Sequence, residues 1–141
     1  MAEPRGAVIA APASGSGKTL VTLGLLRALR QRGTPVSSAK AGPDYIDPRF
    51  HEAATGRPCF NLDCWAMADD RVRSLAGLAA RESDILLAEG VMGLFDGASG
   101  GGGSTADLAV LLGLPVILVV DAPRQGQSVA AERLRLLTQA V

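Results

Sequence analysis

Residues 12–19 read PASGSGKT, set between the apolar run AVIAA (7–11) and KTLVTLGLLRALRQR (18–32). A short apolar run, a glycine-rich turn and leucines near helical spacing predict a buried strand feeding a helix. The leucines are Leu20, Leu23, Leu26 and Leu29, and Gly33 follows as a stop signal. The turn fits the phosphate-loop pattern, except that Pro12 replaces its first glycine. Gly15 and Gly17 let backbone N–H groups turn toward phosphate oxygens, and the helix N-terminus adds positive potential there. Lys18 then reaches terminal phosphates, and the Thr19 hydroxyl can ligate Mg2+. The candidate nucleotide-binding run is Ser14, Gly15, Ser16, Gly17, Lys18, Thr19 and Leu20. A chance Gly/Ser turn is the competing reading. It would not explain a strand before, a helix after, and the lysine and threonine both in place.

The rest of the chain repeats the alternation. PVSSA (35–39), DILLAEG (84–90) and PVILVV (115–120) predict three more strands. Helices are expected over 69–81, from Ser104 to about Leu112, and from about Ser128 onward. STAD at 104–107 is a capping-box-like start with Asp107 in place of Glu or Gln. Residues 40–66 read mostly as loop, with a short helix near 48–55, and GASGGGG (97–103) reads as a flexible loop. Continuous apolar strands alternating with helices predict an α/β fold, a parallel sheet with helices on both faces. Ligands on such sheets bind beyond the carboxyl ends of the strands. The segments there are 12–19, 40–51, 89–97 and 121–128. Short connections would set the second strand beside the first.

Composition excludes several function classes. The 141 residues suit one domain, and 14 Lys and Arg balance 14 Asp and Glu. A formal charge of zero gives no electrostatic reason to expect nucleic acid or an anionic membrane as partner. The longest apolar run, LAVLLGLPVILVV (108–120), is too short to cross a bilayer and is broken by Gly113 and Pro115. Glu3 sits where a signal peptide wants basic residues, so a cytoplasmic location is expected. Cys59 and Cys64 have neither zinc-knuckle spacing nor a second pair, and are expected to be reduced thiols.

Two further segments carry charge into the predicted crevice. EGVMGLFDG (89–97) places Glu89 at the carboxyl end of a strand, where a carboxylate can hold magnesium directly or through water. Asp96 before Gly97 reads equally as turn chemistry. KAGPDYIDPRFH (40–51) follows the second strand. Lys40 could neutralise phosphate charge, Asp44 could reach the metal, and Tyr45 and Asp47 could meet a second substrate. A stiff Pro-Asp turn with solvated charges is the alternative. His51 is the sole histidine, with no Ser or Cys arrangement around it that makes a triad, and it reads more readily as structural than catalytic.

A phosphate loop alone does not separate an enzyme from a switch. Partitioning-type ATPases carry a second lysine early in the loop, where this chain has Ala13. The acid-rich segment after the second strand points instead to a small-molecule substrate.

APASGSGKT, KAGPDYIDPRFHEAATG, NLDCW, EGVMGLFDG and STADLAVLLGLPVILVVDA together resemble the N-terminal ATP-binding domain of cobyrinic acid a,c-diamide synthases, including the hydrogenobyrinic acid enzymes. The similarity runs from about residue 7 onward, and the blocks at 40–51 and 89–97 are its most specific part. The resemblance implies a P-loop NTPase fold similar to dethiobiotin synthetase. It implies an ATP- and Mg2+-dependent amidoligase of cobalamin biosynthesis, which amidates the a and c acetate groups of a corrin ring through an acyl phosphate. Lys18 matches the phosphate-loop lysine, and Thr19, Asp44 and Glu89 match the magnesium ligands. Lys40 matches a lysine near the γ-phosphate. Tyr45, Ile46, Asp47 and Asp96 match positions linked to the corrinoid carboxylate and its phosphorylated intermediate, with Lys18, Lys40, Asp47 and Asp96 as the catalytic set. The family draws ammonia from glutamine on a separate glutaminase domain with its own cysteine. On this reading 1–141 is the N-terminal part of the ATP-binding domain, with the glutaminase domain absent and a homodimer as a candidate assembly. Amidoligases of other tetrapyrroles, such as nickel sirohydrochlorin, other carboxylate-phosphorylating enzymes and the partitioning-type switch stay open as alternatives.

Overall fold

A computed structural model describes residues 4–131. The strands are β1 (Gly6–Ala10), β2 (Val36–Ala41), β3 (Phe60–Leu62), β4 (Ile85–Glu89) and β5 (Val116–Leu118). They form one parallel sheet in the order β3-β2-β4-β1-β5. Parallel neighbours require crossover connections. Here these carry α1 (Lys18–Gln31), α2 (Asp47–Thr55), α3 (Asp69–Ala80) and α4 (Thr105–Leu112). The α/β class, with a parallel sheet covered on both faces, is as the sequence predicts. The helix expected from about Ser128 falls mostly outside the described residues.

Side-chain alternation divides the core into two layers. Val8, Ala39, Leu86 and Ala88 pack with Val72 and Ala76 of α3 and with Leu108 and Leu112 of α4. Ala7, Val36 and Leu87 pack on the other face with Leu26 of α1, and Ala54 of α2 lies against them. Fully burying one such leucine stabilises the fold by roughly 1.5–3 kcal/mol. Helix α4 starts where expected because Ser104 Oγ accepts the Asp107 N–H at 3.1 Å and Asp107 Oδ2 accepts the Ser104 N–H at 2.9 Å. Asp107 thus completes the capping box in place of Glu or Gln.

Three expectations are corrected. The second strand does not lie beside the first, because β4 lies between them and pairs with both. β4 and β1 are buried at every residue but their first, and both lie inside the sheet, where both faces are covered. The expected loop over 40–66 contains β3, a three-residue strand too short for periodicity to reveal. Leu20 does not join the buried stripe of α1: it is 78% exposed, while Thr22 and Leu26 are buried.

The same alternation positions the site. From Val36, the residues of β2 on the α1/α2 face are Ser38 and Lys40, and from Leu87 the next on β4 is Glu89. A layer that is apolar at the amino end of the sheet therefore ends in a lysine and a glutamate at the carboxyl end.

Candidate active site

The phosphate loop is an open cradle. Gly15 (φ 78°) and Gly17 (φ 93°) both adopt left-handed backbone, which a side chain at either position would strain. Gly17 is the N-cap of α1, and no side chain caps that end among the described residues. The first-turn N–H groups thus keep their capacity for an anion. Ser16 Oγ donates to the Ala13 carbonyl at 2.9 Å and ties the loop to itself. Lys18 is buried, and its Nζ donates to the Met92 carbonyl at 2.8 Å. Burial, then the nearby Lys40 charge, hold the Lys18 ammonium below the usual lysine range.

Four side chains from four elements converge behind that loop. Lys40 of β2 and Glu89 of β4 are register partners on neighbouring strands, and Lys40 Nζ donates to Glu89 Oε1 at 3.0 Å. The same ammonium lies 2.8 Å from Asp47 Oδ2, at the start of α2, and 3.9 Å from Asp44 Oδ2. It also donates to the Gly90 carbonyl at 3.2 Å. Thr19 of α1 donates its hydroxyl to Glu89 Oε1 at 2.5 Å and lies 3.4 Å from Asp47 Oδ2. Burial opposes the Lys40 charge. Its bonds to Asp47 and Glu89 outweigh that and raise it above the usual lysine range. Burial likewise opposes the Glu89 charge. The bonds from His51 and Thr19 and the charge of Lys40 prevail and hold its carboxyl below the usual range.

The remaining predicted residues sit around this cluster in different ways. Asp44 Oδ1 accepts the Ile46 and Asp47 N–H groups at 2.8 and 3.0 Å, so this carboxylate shapes the turn that presents Asp47. Tyr45 and Ile46 are exposed at that turn, 85% and 55% respectively. Asp96 Oδ2 accepts the Gly93 N–H at 2.7 Å, which closes the turn that carries the Met92 carbonyl to Lys18. Asp96 is thus joined to the cluster through the backbone of 92–93.

Two participants had no site role predicted from the sequence: Asn61 was not singled out, and His51 was read as structural. Asn61 of β3 donates to the Asp44 carbonyl at 2.6 Å and pins the loop. His51 of α2 is wholly buried, with Nε2 2.6 Å from Glu89 Oε2. Its one sequence signal was position, four residues after Asp47 and so on the same helix face.

The oxygen set fits magnesium. Thr19 supplies a hydroxyl, and Glu89 and Asp47 supply carboxylates, all hard donors. Among the described residues no group of three or more His, Cys, Asp or Glu could hold a metal ion by itself. Nucleotide-bound magnesium does not need such a cage, because phosphate oxygens and water complete its octahedron. Among the described residues Cys59 and Cys64 are free, and no helix is long and apolar enough to cross a membrane.

Residues 7–137 match the family model described as the CobQ/CobB/MinD/ParA nucleotide binding domain. The chain belongs to this nucleotide-binding domain family. It is 60% identical over 126 residues to the hydrogenobyrinate a,c-diamide synthase of Rhizobium meliloti (strain 1021), covering 89% of this chain and 29% of that protein. It is 60% identical over 128 residues to the synthase of the same name from Brucella anthropi, covering 90% and 29%. For the Rhodobacter capsulatus synthase the identity is 56% over 135 residues, covering 93% and 31%. The chain therefore spans about three tenths of the length of the curated relatives it matches. Membership in this family agrees with the parallel sheet and with the phosphate loop between β1 and α1.

Proposed function

We propose that this domain binds ATP with Mg2+ and activates the a and c acetate carboxylates of a corrinoid, hydrogenobyrinic or cobyrinic acid, for amidation. The observation that carries this reading is the meeting of phosphate-loop Thr19 with Lys40, Asp47 and Glu89 in one largely buried cluster. The name borne by the relatives supports the choice of substrate.

A carboxylate resists attack by ammonia because its charge is delocalised and oxide is a poor leaving group. On this reading a substrate carboxylate oxygen attacks the γ-phosphorus, forming an O–P bond while the bond to ADP breaks. Ammonia then attacks the acyl carbon, phosphate leaves with the bonding pair, and nitrogen loses a proton. The ammonia comes from glutamine, hydrolysed on a glutaminase domain outside these residues. Two anions must be held in line for the first step, so positioned cations carry much of the catalysis.

Lys18 and the α1 N-terminus hold the β- and γ-phosphates. Lys40, already between two carboxylates, neutralises the phosphoryl group in transit. Thr19 and Glu89 are the metal ligands; Asp47 Oδ2 lies 3.4 Å from Thr19 Oγ1, while Asp44, the third acid of the set, has its Oδ1 engaged in its own turn. Magnesium bound there supplies charge neutralisation at the phosphates. Tyr45 and Ile46, exposed beside Asp47, and Asp96 form the side that meets the corrinoid acid. Ala13, in place of a second loop lysine, favours this reading over an ATP-driven dimerisation switch.

The test is incubation of the chain, joined to its natural downstream sequence, with ATP, Mg2+, hydrogenobyrinic acid and ammonia or glutamine. Mass spectrometry should record two replacements of OH by NH2, with matching ADP release. ATP-driven dimerisation in light scattering without any corrinoid-dependent product would replace this reading with the switch.

A further inference from the structure

Glu89 divides its two oxygens between two jobs. Oε1 receives Thr19 and Lys40, the groups that face the phosphate loop. Oε2 receives only His51 among the described hydrogen bonds, at 2.6 Å, with both side chains wholly buried. A buried carboxylate oxygen without a donor would be costly, and a carboxylate held at one oxygen only can rotate. We propose that His51 is a positioning residue whose Nε2–H clamps Glu89 Oε2, so that Oε1 is presented in one fixed orientation to Thr19 and the nucleotide-bound metal. This rests on the reading that Glu89 is a metal ligand.

The geometry behind the imidazole fits the role. An ionised Glu89 only accepts, so Nε2 carries the hydrogen and donates it. The other ring nitrogen, Nδ1, lies 3.5 Å from Cys59 Sγ. Burial pushes that thiol up to about 11, so it keeps its proton and can donate to Nδ1. The chain Cys59 S–H to Nδ1, then Nε2–H to Glu89, selects one tautomer and fixes the ring plane. A further bond anchors the helix turn: Thr55 Oγ1 donates to the His51 carbonyl at 2.9 Å. Partners of this kind typically change metal affinity by roughly 10–100-fold when removed.

The experiment uses the full natural chain and reads metal binding rather than turnover. Mn2+ affinity in the presence of ATP is measured by electron paramagnetic resonance for wild type, His51→Gln, His51→Asn and His51→Leu. A glutamine amide nitrogen occupies roughly the place of imidazole Nε2, whereas the shorter asparagine nitrogen falls near Nδ1. His51→Gln should keep affinity close to wild type. His51→Asn and His51→Leu should lose about tenfold or more. Nucleotide affinity without metal should be unchanged in all three. Equal affinity in the Gln and Asn variants, whether both strong or both weak, overturns the proposal. If His51→Leu does not fold, the Gln/Asn contrast still decides. A second readout needs no variant to bind metal: the imidazole nitrogen spectrum of wild type, assigned by the signal lost in His51→Gln, should report the Nε2–H form. A neutral Nδ1–H form overturns the clamp. A wild type that binds no Mn2+ with ATP, yet shows the Nε2–H form, sinks the metal reading of Glu89 and leaves the clamp standing.

Discussion

Lys40 and Glu89 sit opposite each other on neighbouring parallel strands, and their charged ends meet at 3.0 Å. Lys40 is 4% exposed and Glu89 is fully buried. Neither strand alone would tolerate such a residue so close to the core. Together, with Asp47 and Thr19 closing the cluster, each desolvated charge has a partner. The cluster lies at the carboxyl edge, where an open α/β sheet receives ligands.

Removing both members of this pair should therefore cost less than the sum of removing each alone. Lys40→Met leaves Glu89 buried without its cation, and should destabilise the protein by about 3–5 kcal/mol. Glu89→Gln leaves Lys40 with Asp47 and should cost less. The double variant should be more stable than the sum of the single losses implies, giving a coupling of at least about 1 kcal/mol. Urea unfolding of the four proteins measures it, and additive losses would mean the pair contributes nothing specific.

Acid stability should depend on the depressed carboxyls. Hydrogen bonds and Lys40 hold Glu89 and Asp44 below their ordinary values of 4.5 and 3.8. The unfolded chain then binds protons before the folded one as pH falls. The stabilisation is present above those ordinary values and is lost as pH drops through the folded ones. Glu89→Gln should show a shallower fall of unfolding free energy on the acid limb. Lys40 gives the mirror case: its folded value is raised above 10.5, so its contribution is complete below that pH and is lost as pH rises through the folded value. Lys18 has the opposite sign, because its folded value is lowered, so its burial weakens stability less as pH rises toward 10.5.

The fold class was legible because its signals are local and repeated. AVIAA before PASGSGKT, and leucines after it, fix a strand, a loop and a helix within a short span. Lys18, Thr19 and Glu89 follow from their positions at strand ends. Strand order was not legible, since nothing local to PVSSA says which neighbour it will find. Apolar content alone does not give it, since the wholly apolar β5 lies at an edge of the sheet; the order rests on a comparison between distant segments. β3 escaped because three residues cannot display a period. His51 escaped for a different reason: its partner lies 38 positions away on another element, and a lone histidine looks alike in a core and in a site.

Binding and chemistry should separate between two positions. Lys18→Ala removes a buried ammonium from the phosphate cradle and should weaken ATP binding by roughly 10–100-fold, the worth of a charge-assisted hydrogen bond. Asp47→Asn keeps the shape of the turn and the length of the side chain. It should leave metal-free ATP affinity within about threefold of wild type, below the 1.4 kcal/mol that a tenfold change represents. It should nevertheless lower corrinoid-dependent turnover by about tenfold or more, because the charge that orients Lys40 is gone. Calorimetric titration with ATP and the amidation assay measure the two quantities. Equal losses of both in Asp47→Asn would move that residue to the nucleotide side of the site.

Gly93 links the Asp96 turn to the phosphate loop, and it should not accept a side chain. A Cβ there would fall 2.6 Å from Asp96 Oδ2 and 2.6 Å from the Pro12 carbonyl. The second neighbour is backbone of the phosphate loop itself, so relief requires moving either 91–93 or the entry to the loop. Both shifts carry the Met92 carbonyl away from Lys18 Nζ, now 2.8 Å apart. Leu94 N–H to the Ala11 carbonyl, at 2.8 Å, is strained in the same movement. Gly93→Ala should thus lose about 1–3 kcal/mol of stability, the usual range for an overpacked site. It should also weaken ATP binding, although position 93 carries no side chain that could touch the nucleotide. Thermal unfolding and ATP titration on the same preparation test this together. Loss of stability with unaltered ATP affinity would show that the Met92 carbonyl does not position Lys18.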